Sequence, residues 1–561
     1  LSNLRRALLG AAALSLVLTG GSCPRAKSGE GATPPASATS LFREVAESAG
    51  LHYKWTIPGK RPLTILQTIG NGCAFLDYDN DGNLDILLVG ERLALYKGDG
   101  KGHFTDVTAA VELADLKGHF LGCAVGDYDG DGYDDLYISG YEEGKLLKNA
   151  AGKAFTDVSA AAGVTPQPWG TSAAFAETRP GSGVLDLFVG NYAVFGPTTD
   201  PQLCKVRAAS GEYVMTSCGP RYYQPRKGVF YQNTGKGQLL DVTQKVGALG
   251  IVGKTLGVAF ADYENRGALG LALANDEMPG DLLRLDSLQG EPHYTNVAEL
   301  VGTAFDRDGN MHGGMGTDWG DYDNDGLVDL FVATFQGETK SLYRNENGGR
   351  FMDSAMATLL GPPTQPYVAF GCRFLDYDND GWLDIVIANG HVQDNIAQIE
   401  STQSYRQPTQ LFRNKGGSPL LFEEVGKQVP DLQKPIVGRG LATGDYDNDG
   451  KLDLLIVDSE GAPRLLHNET PQAGHWLGLK LVGSKSNRDA YGAIVTVEVA
   501  GRKLTRHCHA DGSYLSSSDP RVHIGIGTAT TVDKVTIRWP SGQTETHTEL
   551  TLDTYTVIKE K

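Results

Sequence analysis

The sequence predicts an all-β protein, a seven-bladed β-propeller followed by a small C-terminal β-sandwich, and three observations carry that expectation. An acidic nonapeptide with Asp at positions 1, 3, 5 and 9 and Gly at position 6 recurs five times, starting at Asp77, Asp127, Asp321, Asp376 and Asp445. It rotates with two strand signatures at a period of about 50 residues, the mark of a propeller or solenoid. From His475 onward the pattern changes to short runs of period-2 alternation, as in half-buried strands.

The N-terminal stretch speaks to address. Arg5 and Arg6 precede an apolar run from Ala7 to Leu18, which has signal-peptide length and is too short to span a bilayer. Residues 1–23 are therefore expected to be a signal peptide. Thr19-Gly20-Gly21-Ser22 before Cys23 is similar to a lipoprotein cleavage site, so either lipidation at Cys23 or ordinary cleavage is open. Both place the chain outside the cytoplasm: secreted, periplasmic or lipid-anchored. Residues 24–40, rich in Pro, Gly, Ala, Ser and Thr, read as a flexible tether. A membrane partner is expected only through the Cys23 anchor.

Residues 41–470 hold the repeats. In each acidic loop four carboxylates surround a tight turn and can converge on one hard cation, most naturally calcium, which takes six to eight oxygen ligands. The expected ligand sets are Asp77, Asp79, Asp81, Asn83 and Asp85; Asp127, Asp129, Asp131, Tyr133 and Asp135; Asp321, Asp323, Asp325, Leu327 and Asp329; Asp376, Asp378, Asp380, Trp382 and Asp384; and Asp445, Asp447, Asp449, Lys451 and Asp453. An EF-hand is excluded, because position 12 is Leu88, Ile138, Val332, Ile387 or Ile456 rather than Glu. Each loop instead runs straight into an apolar strand such as Asp384-Ile-Val-Ile-Ala. About five structural calcium ions are expected. Positions 1, 3, 5 and 9 of the five loops account for 20 of the 68 acidic residues, against 50 basic ones, so much of the formal charge of -18 is local ligand. No basic stripe marks a nucleic-acid partner.

The rotation also predicts closure. The L-Y-x-N-like strand occurs seven times, at Leu95, Leu146, Phe230, Leu282, Leu342, Leu411 and Leu465. The F-x-D-V-like strand that follows occurs six times, and its seventh copy, Phe42-Arg43-Glu44-Val45, stands before the first loop. In a closed ring this N-terminal strand completes the last blade and leaves no open sheet edge. Two degenerate loops bring the acidic series to seven: Ala176 to Leu187, and Asp262 to Gly270, where Arg266 replaces the third carboxylate. Neither is expected to hold calcium, and Arg266 could satisfy Asp262 and Glu264 itself.

Cys73, Cys123 and Cys372 each lie four residues before a loop and read as buried thiols in equivalent strands. Cys204 and Cys218 fall in an insertion at about 192–228 with little strand character, and in an exported chain they are expected to pair. A second insertion spans about 389–409. Both join the second and third strands of a blade, which places them on the face opposite the acidic loops. That face would carry Arg221, Tyr222, Tyr223, Arg226 and His391, chemistry that binding surfaces favour.

The acidic loops, with Phe370-Gly371 and Gly461-Ala462-Pro463, resemble FG-GAP or VCBS repeats of the integrin-α type. Within residues 475–561, Trp476-Leu-Gly-Leu-Lys-Leu-Val, Gly512-Ser-Tyr-Leu-Ser-Ser-Ser-Asp-Pro and Trp539-Pro-Ser-Gly resemble the ASPIC/UnbV domain. The combination is similar to the cartilage acidic protein family and its bacterial secreted relatives. That resemblance implies a calcium-binding extracellular propeller with a β-sandwich cap and no assigned reaction. The expected function is binding or adhesion, with a glycan or protein as ligand. The alternatives are a polysaccharide lyase or hydrolase acting on the insertion-bearing face, for which no catalytic pair is recognisable, and a purely structural matrix component.

Overall fold

The computed structural model describes residues 40–247, 252–288, 290 and 292–561. The signal peptide, Cys23 and nearly all of the tether lie outside the described residues.

Seven antiparallel sheets make up the repeat region, six of four strands and the fourth of four strands joined by His312–Gly313, which pairs with Gly270–Met278. The first runs Cys73–Leu76, Asp85–Leu88, Ala94–Gly98, Phe104–Asp106, each strand paired with the next. The acidic loop fills the first connection, so position 9 opens the second strand. That strand is fully buried in the first sheet, which explains its unbroken apolar run. The innermost strands neighbour one another in order, from Cys73–Leu76 through Phe120–Gly126, Gly170–Ala176, Thr255–Ala261, Thr317–Gly320 and Ala369–Leu375 to Gly438–Gly444. The last of these packs against the first, so the series closes on itself. Phe42–Glu44 pairs with Arg464–Asn468 in the register Phe42↔Asn468 and completes the seventh sheet, as the offset in the repeat count predicts.

The C-terminal region forms two sheets around one apolar core. Val522–Gly527, His475–Val482 and Tyr555–Lys559 make the first, and Arg502–His507, Ile494–Val499, Lys534–Arg538 and Thr544–His547 the second. Leu477, Leu479, Val495, Val497, Ile524, Val535 and Ile537 lie between them, and the same cluster continues into Tyr128, Phe175 and Leu187 of blades two and three. Propeller and sandwich thus share a core and form one compact unit from Ser40 to Lys561.

One segment of the sandwich accounts for that union. Residues 511–519 enter the centre of the ring and hydrogen-bond to all seven innermost strands. Cys123 N–H donates to the Leu515 carbonyl (3.1 Å), Thr317 and Ser513 exchange main-chain bonds, and Phe75 donates to Ser517. Side chains do the rest: Ser172 Oγ accepts from Leu515 N–H, Asp511 from Phe260, Ser513 from Cys372, Ser516 from Cys73 and Ser518 from Thr443. The inner edges of seven sheets would otherwise present unpaired N–H groups to the channel. Tyr514 and Leu515 are fully buried among Leu121, Trp169, Tyr192, Leu256, Met315 and Phe370. Ser513 and Leu515 hold φ of 59° and 55°, a left-handed conformation that these bonds over-determine.

Candidate functional site

The acidic loops are built by their own backbone. The position-1 carboxylate accepts N–H groups from positions 5 and 6, as Asp376 does from Asp380 (3.0 Å) and Gly381 (2.8 Å). The position-9 carboxylate clamps the loop to the blade: Asp135 accepts from Tyr128 N–H (3.2 Å) and from Asn149 N–H (2.7 Å) on the third strand. Position 4 is left-handed, with φ of 58° at Asn80, 57° at Asn324 and 56° at Asn379, which is why Asn or Gly stands there. Its amide reaches the next blade: Asn80 donates to Gly132 O, Asn324 to Gly381 O and Asn379 to Gly450 O. The Asn that ends L-Y-x-N reaches the previous one, as Asn149 donates to Tyr78 O and Asn414 to Tyr322 O. Two signatures read as blade markers are therefore also the staples between blades.

Positions 1, 3 and 9 crowd buried carboxylates together. Burial pushes Asp85 up to about 8, Asp135 to about 9 and Asp453 to about 8, with Asp329 and Asp384 also raised, and in each case the neighbouring loop carboxylates add to the shift. Carboxylate oxygens of Asp77, Asp79, Asp129, Asp378 and Asp447 are buried without any hydrogen-bond partner. Position 1, 3, 5 or 9 groups of all five loops bring ligand atoms within 4.8 Å of one another, joined in the last loop by His467. Orphaned oxygens, clustered hard donors and raised carboxylate pKa values all fit a divalent cation such as calcium; the clusters are made of Asp at positions 1, 3, 5 or 9, with His467 in the last loop.

The sequence reading missed a second set of cations. The x of L-Y-x-N is basic in every blade with an intact loop, and it points at positions 3 and 5. Lys97 pairs with Asp79 and Asp81, Lys148 with Asp129 and Asp131, Arg344 with Asp323 and Asp325, and Arg413 with Asp378 and Asp380. His467 lies 3.7 Å from Asp447 and 3.1 Å from Asp453. The signal in the sequence was partial: of the two blades with degenerate loops, the same position is Gln232 in blade three but Arg284 in blade four.

The degenerate loops neutralise themselves. In blade three Arg179 pairs at 3.0 Å with the fully buried Asp186, the counterpart of position 9. In blade four Arg266 takes Glu264 at 2.6 Å as expected, but Asp262 pairs with Arg538 of the sandwich at 2.5 Å.

The sandwich lies over this whole face. Lys480 reaches Asp77, and Asp489 accepts from Asp127 N–H. Asn487 binds Glu177, Arg506 and Arg502 reach the blade-six loop at Gly381 and Asp380, and Arg521 bonds Asn448 and the Asp445 carbonyl.

The opposite face bears the insertions. Residues 192–228 contain a hairpin, Leu203–Arg207 paired with Tyr213–Ser217, against the expectation of little strand character; Cys204 and Cys218 sit at its open end and form the expected disulfide. Its short strands, Leu-Cys-Lys-Val-Arg and Tyr-Val-Met-Thr-Ser, mix apolar and polar residues without strict alternation and are largely half-buried or exposed, so no period-2 pattern announced them. The hairpin packs on the second insertion, where Asn395 bonds Thr216 and the Met215 carbonyl. Of the five residues expected to form a ligand surface, Arg221 and Tyr222 are exposed and Arg226 is half-buried. Tyr223 is buried with its hydroxyl on Pro201 O, and His391 is fully buried. Burial holds the His391 imidazole down at about 3, with Arg439 adding to the effect, and its ring lies 3.1 Å from Gln336. Neither Tyr223 nor His391 belongs to a surface. Between the hairpin, Ile65–Thr68 and the mouths of the innermost strands lies a cavity of about 220 Å³.

Comparison with known proteins agrees with this architecture. Residues 483–561 match the family described as ASPIC and UnbV, and residues 77–138 and 321–387 match the FG-GAP-like repeat, which covers the intact loops of blades one, two, five and six. Cartilage acidic protein 1 of Xenopus tropicalis is 25% identical over 511 residues, spanning 84% of this chain and 70% of the relative. The Mus musculus protein of that name is 24% identical over 501 residues, with 84% and 70% covered. The Homo sapiens one is 25% identical over 504 residues, with 84% and 69% covered. The chain thus combines stretches that match the FG-GAP-like repeat with a C-terminal region that matches ASPIC and UnbV, and over most of its length it is similar to cartilage acidic protein 1.

Proposed function

We propose that this protein is an exported binding module in which calcium in the acidic loops is structural and a glycan or protein ligand is taken on the insertion-bearing face. The observation that carries the reading is where the sandwich lies. It covers the loop face and fills the channel with Tyr514 and Leu515, so the insertion-bearing end of the ring is the one left open. On that end Tyr222 is 53% exposed beside Arg221 and Tyr213 is 63% exposed beside Lys205, and Tyr and Arg are the residue types that dominate binding energy when a partner covers them. The Cys204–Cys218 disulfide, which stiffens this surface, fits an oxidising, extracellular setting.

The test is a screen of matrix glycans and extracellular proteins in calcium, followed by Tyr222→Ala and Arg221→Ala. Each variant should weaken the captured ligand by about tenfold, the equivalent of about 1.4 kcal/mol. Ligand capture that both variants leave intact would move the site elsewhere. Release of shorter chains from a polysaccharide would replace binding with catalysis.

A further inference from the structure

We infer that the cavity beneath the disulfide hairpin is a site for a primary ammonium on an unbranched apolar stem, the chemistry of a lysine side chain presented by a partner. This rests on the reading of the insertion-bearing face as the ligand face and specifies what that face recognises. The walls are apolar: Ile65, Ile69, Leu256, Met315, Phe335 and Phe370 line the cavity. Set among them are three carboxylates, Asp276, Glu277 and Glu338, against a single lining guanidinium, that of Arg221.

Each carboxylate is held in place by a neutral donor. Asp276 accepts the Tyr192 hydroxyl at 2.5 Å, Glu277 accepts Arg221 N–H at 3.2 Å, and Glu338 accepts Gly313 and Phe335 N–H groups, both at 3.1 Å. Among the described residues none of the three forms an ion pair. The Lys254 ammonium, whose field reaches Asp276 and Glu277, bonds neither carboxylate, although the Lys254 carbonyl accepts Asp276 N–H at 3.0 Å, and Lys340 behind Glu338 is fully buried and spends its donors on the Phe335 and Tyr367 carbonyls. Burial keeps Asp276 near 7 and raises Glu338, as expected of acids fixed in an apolar wall without a counter-ion. A bare calcium ion is coordinated by oxygen on every side, whereas here the carboxylates share the wall with Ile65, Ile69, Leu256, Met315, Phe335 and Phe370, a lining that suits a cation carrying an apolar stem. An ammonium needs three acceptors, and its methylene stem suits the apolar lining.

Titration of the intact protein with n-pentylammonium and with n-pentanol, in 0.15 M salt to screen the general negative field, separates charge recognition from apolar filling. The amine should bind at least about tenfold more tightly than the alcohol. Glu338→Gln and Glu277→Gln should each weaken the amine about fivefold and leave the alcohol unchanged, while Asp115→Asn, exposed and distant in sequence, should alter neither. Should Glu338→Gln fail to fold, Glu277→Gln decides, since its side chain is exposed. Equal binding of the two probes, or displacement of the amine by millimolar calcium in that pocket, overturns the inference. A protein that captures a ligand through Tyr222 yet ignores the amine keeps its proposed function and loses this site.

Discussion

Blades six and three solve the same folding problem with opposite chemistry. In both, a buried carboxylate at the start of the second strand clamps the third: Asp384 accepts from Asn414 N–H at 2.7 Å, and Asp186 from Asn233 N–H at 2.7 Å. In both, the Asn that follows reaches back to the previous blade, to Tyr322 O or Tyr128 O. The backbone scaffold is therefore independent of the acidic consensus. What differs is charge. Blade three supplies Arg179 from within its own loop, whereas blade six leaves Asp376, Asp378, Asp380 and Asp384 converging, with Arg413 at the side. The acidic nonapeptide is a blade-building loop to which a cluster of carboxylates able to hold an external cation has been added.

The sharpest way to break that distinction is to remove the cation. Each site filled at a hundredfold over its Kd stabilises the fold by about 2.7 kcal/mol, so chelation should lower Tm by far more than any single substitution. The pH dependence follows from the raised carboxylates. An acid whose folded pKa exceeds its unfolded value favours the fold most below the unfolded pKa, near 4, and loses that contribution as pH rises through the folded one. With Asp85 near 8, Asp135 near 9 and Asp376 near 8, these loops in the metal-free protein should lose stability steadily from about pH 4 to pH 9. Calcium holds the same groups ionised, so the gap in Tm between loaded and chelated protein should widen over that range. A gap that is constant or shrinks with pH would show that the loops do not bind the ion through these carboxylates.

Blade three should respond differently. Arg179→Met strands the buried Asp186 without its partner, and losing one member of a buried pair costs about 3–5 kcal/mol. Calcium stoichiometry should not change. Chemical denaturation and equilibrium dialysis read the two quantities independently, and a lost calcium ion would make blade three a metal site after all.

Much of the ring was legible because a propeller writes its geometry seven times. The count of seven L-Y-x-N against six F-x-D-V strands was enough to place Phe42–Glu44 beside Arg464–Asn468. The plug was not legible. Gly512-Ser-Tyr-Leu-Ser-Ser-Ser-Asp carries no periodicity, and its partners Cys73 and Ser172 lie more than 300 residues away in the chain. His391 misled for a related reason. It stands in a polar insertion, but Arg439, a buried guanidinium that donates to the Thr68, Gly390 and His391 carbonyls, draws that segment into the molecule. The sandwich's place on the loop face was hidden too, since Lys480, Arg521 and Arg538 are scattered among ordinary surface-strand residues.

Within one intact loop the two roles of the carboxylates can be separated. Asp135→Ala removes two backbone clamps and should cost about 2–3 kcal/mol even in chelator, because it leaves buried N–H groups unpaired. Asp131→Ala alters an exposed side chain that caps Tyr133 N–H and pairs at the surface with Lys148, so in chelator it should cost less than about 1 kcal/mol. Both should lose the calcium ion of blade two. Equal costs in chelator would mean that positions 5 and 9 do the same job and that the scaffold does depend on the consensus.

The smallest effect tests the basic residue at the side of each loop. Lys97 pairs with Asp79 and Asp81, the carboxylates a calcium ion in blade one would use. As a built-in counter-ion it holds the loop together without metal and competes with metal for the same charge. Its side chain is about one-third exposed, so its field is largely screened and worth about 1 kcal/mol at 4 Å in water. Lys97→Met should therefore leave Tm in calcium nearly unchanged, lower it slightly in chelator, and tighten the blade-one site about fivefold. A weakened site would instead make Lys97 part of the arrangement that positions Asp79 and Asp81 for the ion.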